Sequence, residues 1–241
     1  MTADLTVTDL SVTYGKATAV EAASFLVPAG TITAIVGPNG AGKSSLALGL
    51  YGSIAATGGI TLGDKALNGL PSIGRARAGL AIVPQGRQLF PKLSVRDNLQ
   101  VMAEMLALKK VAVEEALDRF PVLRERQNRL AGVLSGGEQQ MLVVSRALMG
   151  NPNCLILDEM MTGLAPKIVA QLAETVRSIA DAGASVLLVD PSLGPLKHIV
   201  DRGYVIMRAQ LSEEHADVMS LDAGYQRAMG VIHDEIEGGH E

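Results

Sequence analysis

Cysteine and aromatic side chains are scarce in this sequence: one cysteine, no tryptophan, three phenylalanines and four tyrosines in 241 residues. One cysteine cannot close an intramolecular disulfide or furnish a cysteine-rich zinc site, so neither kind of scaffold is expected. The opening MTADLTVTDL lacks the charged-then-apolar order of a secretory signal, and a reducing cytoplasm is the expected location. Long apolar runs are also missing. No stretch approaches the roughly 18 residues that suggest a spanning helix, so any membrane role needs a partner chain. Positive charge is not in excess either: 21 Lys and Arg stand against 25 Asp and Glu, a net of −4. That balance lacks the strong field of a dedicated nucleic-acid binder, and no nucleic-acid partner is expected. What is plentiful is apolar mass, 48% of residues, enough for the core of one domain over 1–241 and incompatible with global disorder.

The strand and helix signals follow an order. LTVTDLSVTY (5–14) and AASFLVPAG (22–30), separated by a polar turn around Gly15 and Lys16, read as an antiparallel pair. TITAIV (31–36) reads as a strand that meets a glycine-rich loop, and SSLALGLY after it starts a helix. LAIVPQ (80–85) predicts another strand. Helical character fills 94–119 and 136–149, punctuated by Pro91, Pro121 and Gly132, so about 88–150 is expected to form a helical subdomain. Strands return at CLILDE (154–159), SVLLVD (185–190) and YVIM (204–207), with VAQLAETVRSIADAG as an amphipathic helix ending near Gly183. Buried strands alternating with helices predict an α/β fold around a mainly parallel sheet. From Leu211 to residue 241 an acidic tail carries weak structural signals.

The chemistry concentrates in two strings. GPNGAGKS, comprising Gly37, Pro38, Asn39, Gly40, Ala41, Gly42, Lys43 and Ser44, matches the phosphate-loop pattern, and Ser45 follows it. Glycines allow a tight loop whose N–H groups converge on phosphate oxygens, and the helix N-terminus adds a favourable dipole. Lys43 brings a cation to the β/γ-phosphates of a nucleotide such as ATP, and the Ser44 hydroxyl is placed to meet Mg2+. CLILDE supplies what the loop lacks: a buried strand ending in Asp158, a carboxylate that would organise Mg2+ and its water, followed by Glu159 as candidate general base.

LSGGEQQ (134–140), with Leu134, Ser135, Gly136, Gly137 and Glu138, resembles the signature motif of ATP-binding cassette (ABC) proteins and sits between the two nucleotide motifs as in that family. The resemblance runs from about Leu5 to Met207. It implies a P-loop NTPase of the ABC nucleotide-binding type, α/β with an antiparallel β subdomain and a helical subdomain. It also implies a head-to-tail dimer with a second ABC subunit, identical or related, whose ATP meets this signature. Tyr14 looks like the aromatic that stacks on adenine, and Gln85 resembles the glutamine that touches Mg2+ and the attacking water while linking the site to membrane-partner contacts. Within the family, VPQGRQLFPKLSVRDNL (83–99) and GLAPK (163–167) look most like ATPase subunits of importers for branched-chain amino acids, urea and short amides. Transmembrane permease subunits and a substrate-binding protein are the implied partners, with the chain peripheral on the cytoplasmic face of the membrane.

Four positions depart from the common family pattern. Pro191 stands where a switch histidine, or in the importer group a glutamine, contacts the γ-phosphate; proline has neither a side-chain donor nor an N–H. Met160 and Met161 interrupt the run that normally follows the acidic pair, and Ala165 replaces a common aspartate, as in the importer group. His198 reads as a surface residue rather than a substitute switch. The resemblance therefore leaves two expectations open: an ATP-hydrolysing motor, or a weak site that completes a partner's competent one.

Overall fold

A computed structural model describes residues 3–231. Two strands open the chain, β1 (Leu5–Tyr14) and β2 (Ala17–Val27), paired antiparallel from Leu5 opposite Val27 to Tyr14 opposite Ala17. The turn between them is the expected one at Gly15, but β2 starts before residue 22 because pairing continues straight from the turn. β3 (Ile32–Val36) is buried along its whole length and feeds the glycine-rich loop and α1 (Lys43–Tyr51). β4 (Thr57–Leu62) and β5 (Lys65–Ala66) return to the first sheet, whose order is β2-β1-β4-β5. Pairing with β1, from Leu5 opposite Leu62 to Ser11 opposite Thr57, makes β4 a strand despite its two glycines, which hid it in the sequence. α2 (Ser72–Ala78) then precedes β6 (Leu80–Val83), which ends before Gln85.

The helical stretch comprises α3 (Val95–Met105), α4 (Val111–Asp118), α5 (Pro121–Glu125) and α6 (Gly136–Ala147). The expected helix over 94–119 is thus two helices. Ala107 turns left-handed (φ 55) and the Leu108 N–H donates back to the Ala103 carbonyl at 2.8 Å, a helix stop usually built on glycine. Arg96 and Arg124 both grip Glu114, whose carboxyl their hydrogen bonds pull down to about 2, tying α3, α4 and α5 together.

β7 (Cys154–Asp158), α7 (Pro166–Asp181), β8 (Ser185–Asp190), β9 (Arg202–Met207) and β10 (Gln210–Leu211) complete the second sheet, of order β10-β9-β3-β8-β7-β6. All its pairings are parallel except β9 with β10. Side chains alternate between two cores: Leu155 and Leu157 face α3 to α7, while Cys154 and Ile156 face α1 and the first sheet. Burial on both faces explains the unbroken apolar runs of β3, β7 and β8. The tail holds more order than its sequence signals: α8 (Val218–Ala228), capped by Asp217, buries Leu221, while residues 232–241 of the expected tail lie outside the described residues. His198 is exposed on a 3-10 turn, Gly194–Ile199.

Register positions the chemistry. Val36 pairs with Asp190 and Asp158 with Val189, so the loops after β3, β7 and β8 leave the sheet side by side at its carboxyl edge, where open α/β sheets bind ligands.

Candidate functional site

The glycine loop folds as its residue types require. Gly42 sits at φ 108, and a Cβ there would lie 2.0 Å from the Ala19 carbonyl oxygen; at Gly37 a Cβ would lie 2.2 Å from that of Ile206. No other residue fits either position without moving backbone. The loop wraps Lys43, the first residue of α1, which is 3% exposed and donates to the Pro38 carbonyl at 3.0 Å. A buried ammonium on a loop of converging amides suits a polyanion.

The acidic pair closes the opposite side. Asp158 is 1% exposed and accepts from Ser44 Oγ at 3.1 Å, which brings together two of the three residues expected at Mg2+. Burial pushes its carboxyl above the usual range, partly offset by the Ser44 hydrogen bond. Glu159 turns left-handed (φ 47), its N–H donating to the Val189 carbonyl at 2.9 Å. Such a backbone costs about 1–3 kcal/mol and aims the carboxylate into the cleft. There Glu159 Oε1 lies 3.6 Å from Lys43 Nζ, and Oε2 accepts from Gln85 Nε2 at 2.7 Å. Tyr14 is 53% exposed at the rim, its hydroxyl 3.4 Å from Ser45 Oγ, with a free ring face suited to a flat base. The cleft itself, about 290 Å³, is lined by Ala19, Asn39, Gly40, Gly42, Lys43, Ser44, Ser45, Gln85 and Glu159.

The signature residues lie elsewhere. Ser135 caps α6, accepting from the Glu138 N–H at 3.3 Å while the Ser135 N–H donates to Glu138 Oε2 at 2.8 Å, a capping box worth about 1 kcal/mol. That backbone hydrogen bond holds the Glu138 carboxyl below its ordinary value. Ser135, Gly136, Gly137 and Glu138 line a separate cleft of about 900 Å³ shared with Leu164, Ala165 and Lys167 of the GLAPK string. Gly137 is packed so closely on Ile168 that a Cβ would lie 3.0 Å from its Cγ1. Leu134 is buried behind this surface.

Sequence reasoning missed Asp190. Its carboxyl closes β8 beside the glycine loop, and burial pushes it up to about 6, with the charges of Glu159 and Asp158 adding to the rise. SVLLVD carries the same sign as CLILD, an apolar strand ending in a carboxylate. The Ser192 N–H donates to Asp190 Oδ1 at 3.3 Å across Pro191, which brings no donor of its own. Arg87 was missed as well: Gly86, Arg87 and Gln88 all take positive φ (86, 62 and 30), and the Gln88 N–H donates to the Gly86 carbonyl at 2.8 Å. This γ-turn centred on a non-glycine residue is rare and strained. Among the described residues no group of three or more His, Cys, Asp or Glu could hold a metal ion by itself. Ser44 and Asp158, in contact through their hydrogen bond, are the pair that would hold Mg2+, an ion that keeps most of its waters.

Known proteins share the sequence pattern and the fold of this chain. The family model described as ABC transporter matches residues 20–162. The high-affinity branched-chain amino acid transport ATP-binding protein BraG of Pseudomonas aeruginosa is 40% identical over 206 residues, covering 84% of this chain and 88% of its own. The lipopolysaccharide export system ATP-binding protein LptB of Escherichia coli is 32% identical over 216 residues, covering 87% and 89%. A crystal structure of a nucleotide-free ATP-binding cassette from an ABC transporter shares the fold with a TM-score of 0.83 at 23% identity, covering 96% of this chain and 100% of its own.

Proposed function

Because the chain belongs to the ABC transporter family, as an ATP-binding subunit of a transport system, we propose that it binds MgATP in the cleft around Lys43 and hydrolyses it with Glu159 as general base. The grip of Lys43 and Gln85 on the two oxygens of Glu159 carries this reading. Loop amides and Lys43 hold the β/γ-phosphates, and Tyr14 stacks on the base. Phosphate oxygens draw the Lys43 ammonium toward themselves, which frees Glu159 Oε1 to accept a proton from water. That water attacks the γ-phosphorus as the bond to the ADP oxygen breaks, while Gln85 keeps Oε2 fixed. Such a base contributes about 10²- to 10⁴-fold. Ser44 and Asp158, with Gln85 nearby, would hold Mg2+, which would supply charge neutralisation at the phosphates.

The separation of the signature cleft from the Lys43 cleft supports a head-to-tail pair, in which Ser135, Gly136 and Gly137 meet ATP held by a second cassette. Closing on ATP drives permease chains at the cytoplasmic face of the membrane, because ATP binds the closed pair better than the open one. Identity of 40% to a branched-chain amino acid transport protein, against 32% to a lipopolysaccharide export protein, favours branched-chain amino acids as the substrate class, and the importer-like strings at 83–99 and 163–167 extend the reading to short amides, inward movement and delivery by a substrate-binding protein.

Pro191 favours a second reading. Loss of a donor to developing charge costs about 10²- to 10³-fold, and a cassette so slowed would chiefly complete the site of a different partner. The test is reconstitution with the permeases in liposomes. The first reading expects turnover stimulated by binding protein loaded with a branched-chain amino acid. Turnover indifferent to amino acids and amides, with a substrate moved outward, contradicts it.

A further inference from the structure

We propose that Arg87 is a positioning residue that couples the two phosphate-facing parts of this cassette, tying the loop that carries Gln85 to the first turn of the signature helix α6. The inference rests on the functional reading above and adds the route between its two sites.

Arg87 lies two residues past Gln85, at the centre of the strained γ-turn. Its guanidinium sits directly beneath the signature: a Cβ on Gly136 would lie 3.0 Å from Arg87 Nη2 and 3.3 Å from Nη1. Glycine at 136 is thus needed to admit Arg87, apart from any need to admit phosphate. Arg87 Nη1 donates to Gln139 Oε1 at 3.2 Å, and Gln139 Nε2 donates to the Ala131 carbonyl at 3.1 Å, so the contact reaches the turn before the signature. From the far end of the same helix, Arg146 Nη2 donates to the Gln88 carbonyl at 2.9 Å. α6 therefore holds this loop at both of its ends. A strained turn persists only where its surroundings over-determine it, and these two arginines are what does so.

Charge supports the same conclusion. A cation beside a helix N-terminus opposes the helix dipole, and among the described residues no carboxylate pairs with Arg87. The arrangement becomes favourable when an anion meets the backbone N–H groups of Gly136 and Gly137. Arg87 thereby strengthens the grip on the opposite phosphate, and its rigid fork transmits any shift of Gln85 against Glu159 to that grip.

The test uses the complete transporter, with ATP dependence of turnover measured for wild type, Arg87→Ala, Arg87→Lys and Gln139→Ala, and nucleotide affinity of each isolated cassette measured alongside. Removing the charge is expected to raise the half-saturating ATP concentration about two- to fivefold, the size of a charge–dipole contact. Losing the fork is expected to drop the Hill coefficient from about 2, its ceiling for two sites, toward 1. Arg87→Lys keeps the charge without the fork, so it restores half-saturation but not cooperativity. Gln139→Ala lowers cooperativity with half-saturation near wild type, and it decides the matter should Arg87→Ala fold poorly. A merely structural role would move half-saturation and cooperativity together, and the lysine variant would not separate them. Variants that keep wild-type cooperativity and half-saturation overturn the proposal alone, whereas a wild-type complex that never turns over ATP overturns the functional reading with it.

Discussion

Gln85 Nε2 donates to Glu159 Oε2 at 2.7 Å, joining the loop after β6 to the loop after β7 across the mouth of the cleft. A hydrogen bond to a charged group is worth about 1.5–3 kcal/mol, so Gln85→Ala is expected to lower kcat about 10- to 150-fold. Nucleotide affinity, which rests on Lys43 and the loop amides, changes far less. Steady-state turnover beside equilibrium nucleotide binding checks the split; an affinity loss as large as the kcat loss would place Gln85 in binding instead.

Gly42→Ala puts a Cβ 2.0 Å from the Ala19 carbonyl oxygen and forces a left-handed alanine. Overpacking of this kind costs about 1–3 kcal/mol, and the displaced loop can no longer present its amides together. Urea unfolding should show the loss of stability, and nucleotide binding should fail even under conditions where the variant is folded. Wild-type affinity in the variant would mean that the close approach of β2 is not needed.

Asp190 gives a pH prediction. Its folded pKa, about 6, stands above the ordinary 3.8, so between these values the folded chain binds the proton more tightly than the unfolded one. Its contribution to stability is full below pH 3.8 and is lost as pH rises through about 6. Above that range a partly buried carboxylate beside Asp158 and Glu159 destabilises the fold. Asp190→Asn keeps the shape and the acceptor for Ser192, and is expected to be more stable than wild type at neutral pH by on the order of 1 kcal/mol, allowing for solvent screening. Near pH 4 the difference should vanish. An equal difference at both pH values would refute the titration account.

Cys154 begins β7 wholly buried, and burial pushes its thiol up to about 12. A thiol that neither ionises nor meets solvent should resist alkylation in the folded chain and react only on unfolding. Mass spectrometry after iodoacetamide treatment, with and without denaturant, measures this directly.

Much of the site was legible because its chemistry is local. The glycine loop and the Asp158–Glu159 strand end each depend on a few adjacent residues, and each stands where the sequence placed it. The separation of Ser135 from Lys43 was implied by the resemblance of LSGGEQQ to the ABC signature. What was hidden depends on distant partners. β4 is a strand because β1 pairs with it, and the stop at Ala107 uses a residue with no turn signature. Asp190 matters only because β8 lies between β3 and β7, and Arg87 only because α6 passes over it.

The central claim is that Glu159 performs hydrolysis despite Pro191. It is tested most directly by MgATP turnover of the complete transporter carrying Glu159→Gln in this chain alone, with ATP binding verified in the same preparation. The account predicts turnover reduced by about 10²-fold or more while binding persists. Unchanged turnover, abolished only when the partner cassette's own catalytic glutamate is substituted, would contradict it and leave this chain as a binding and signature-donating subunit.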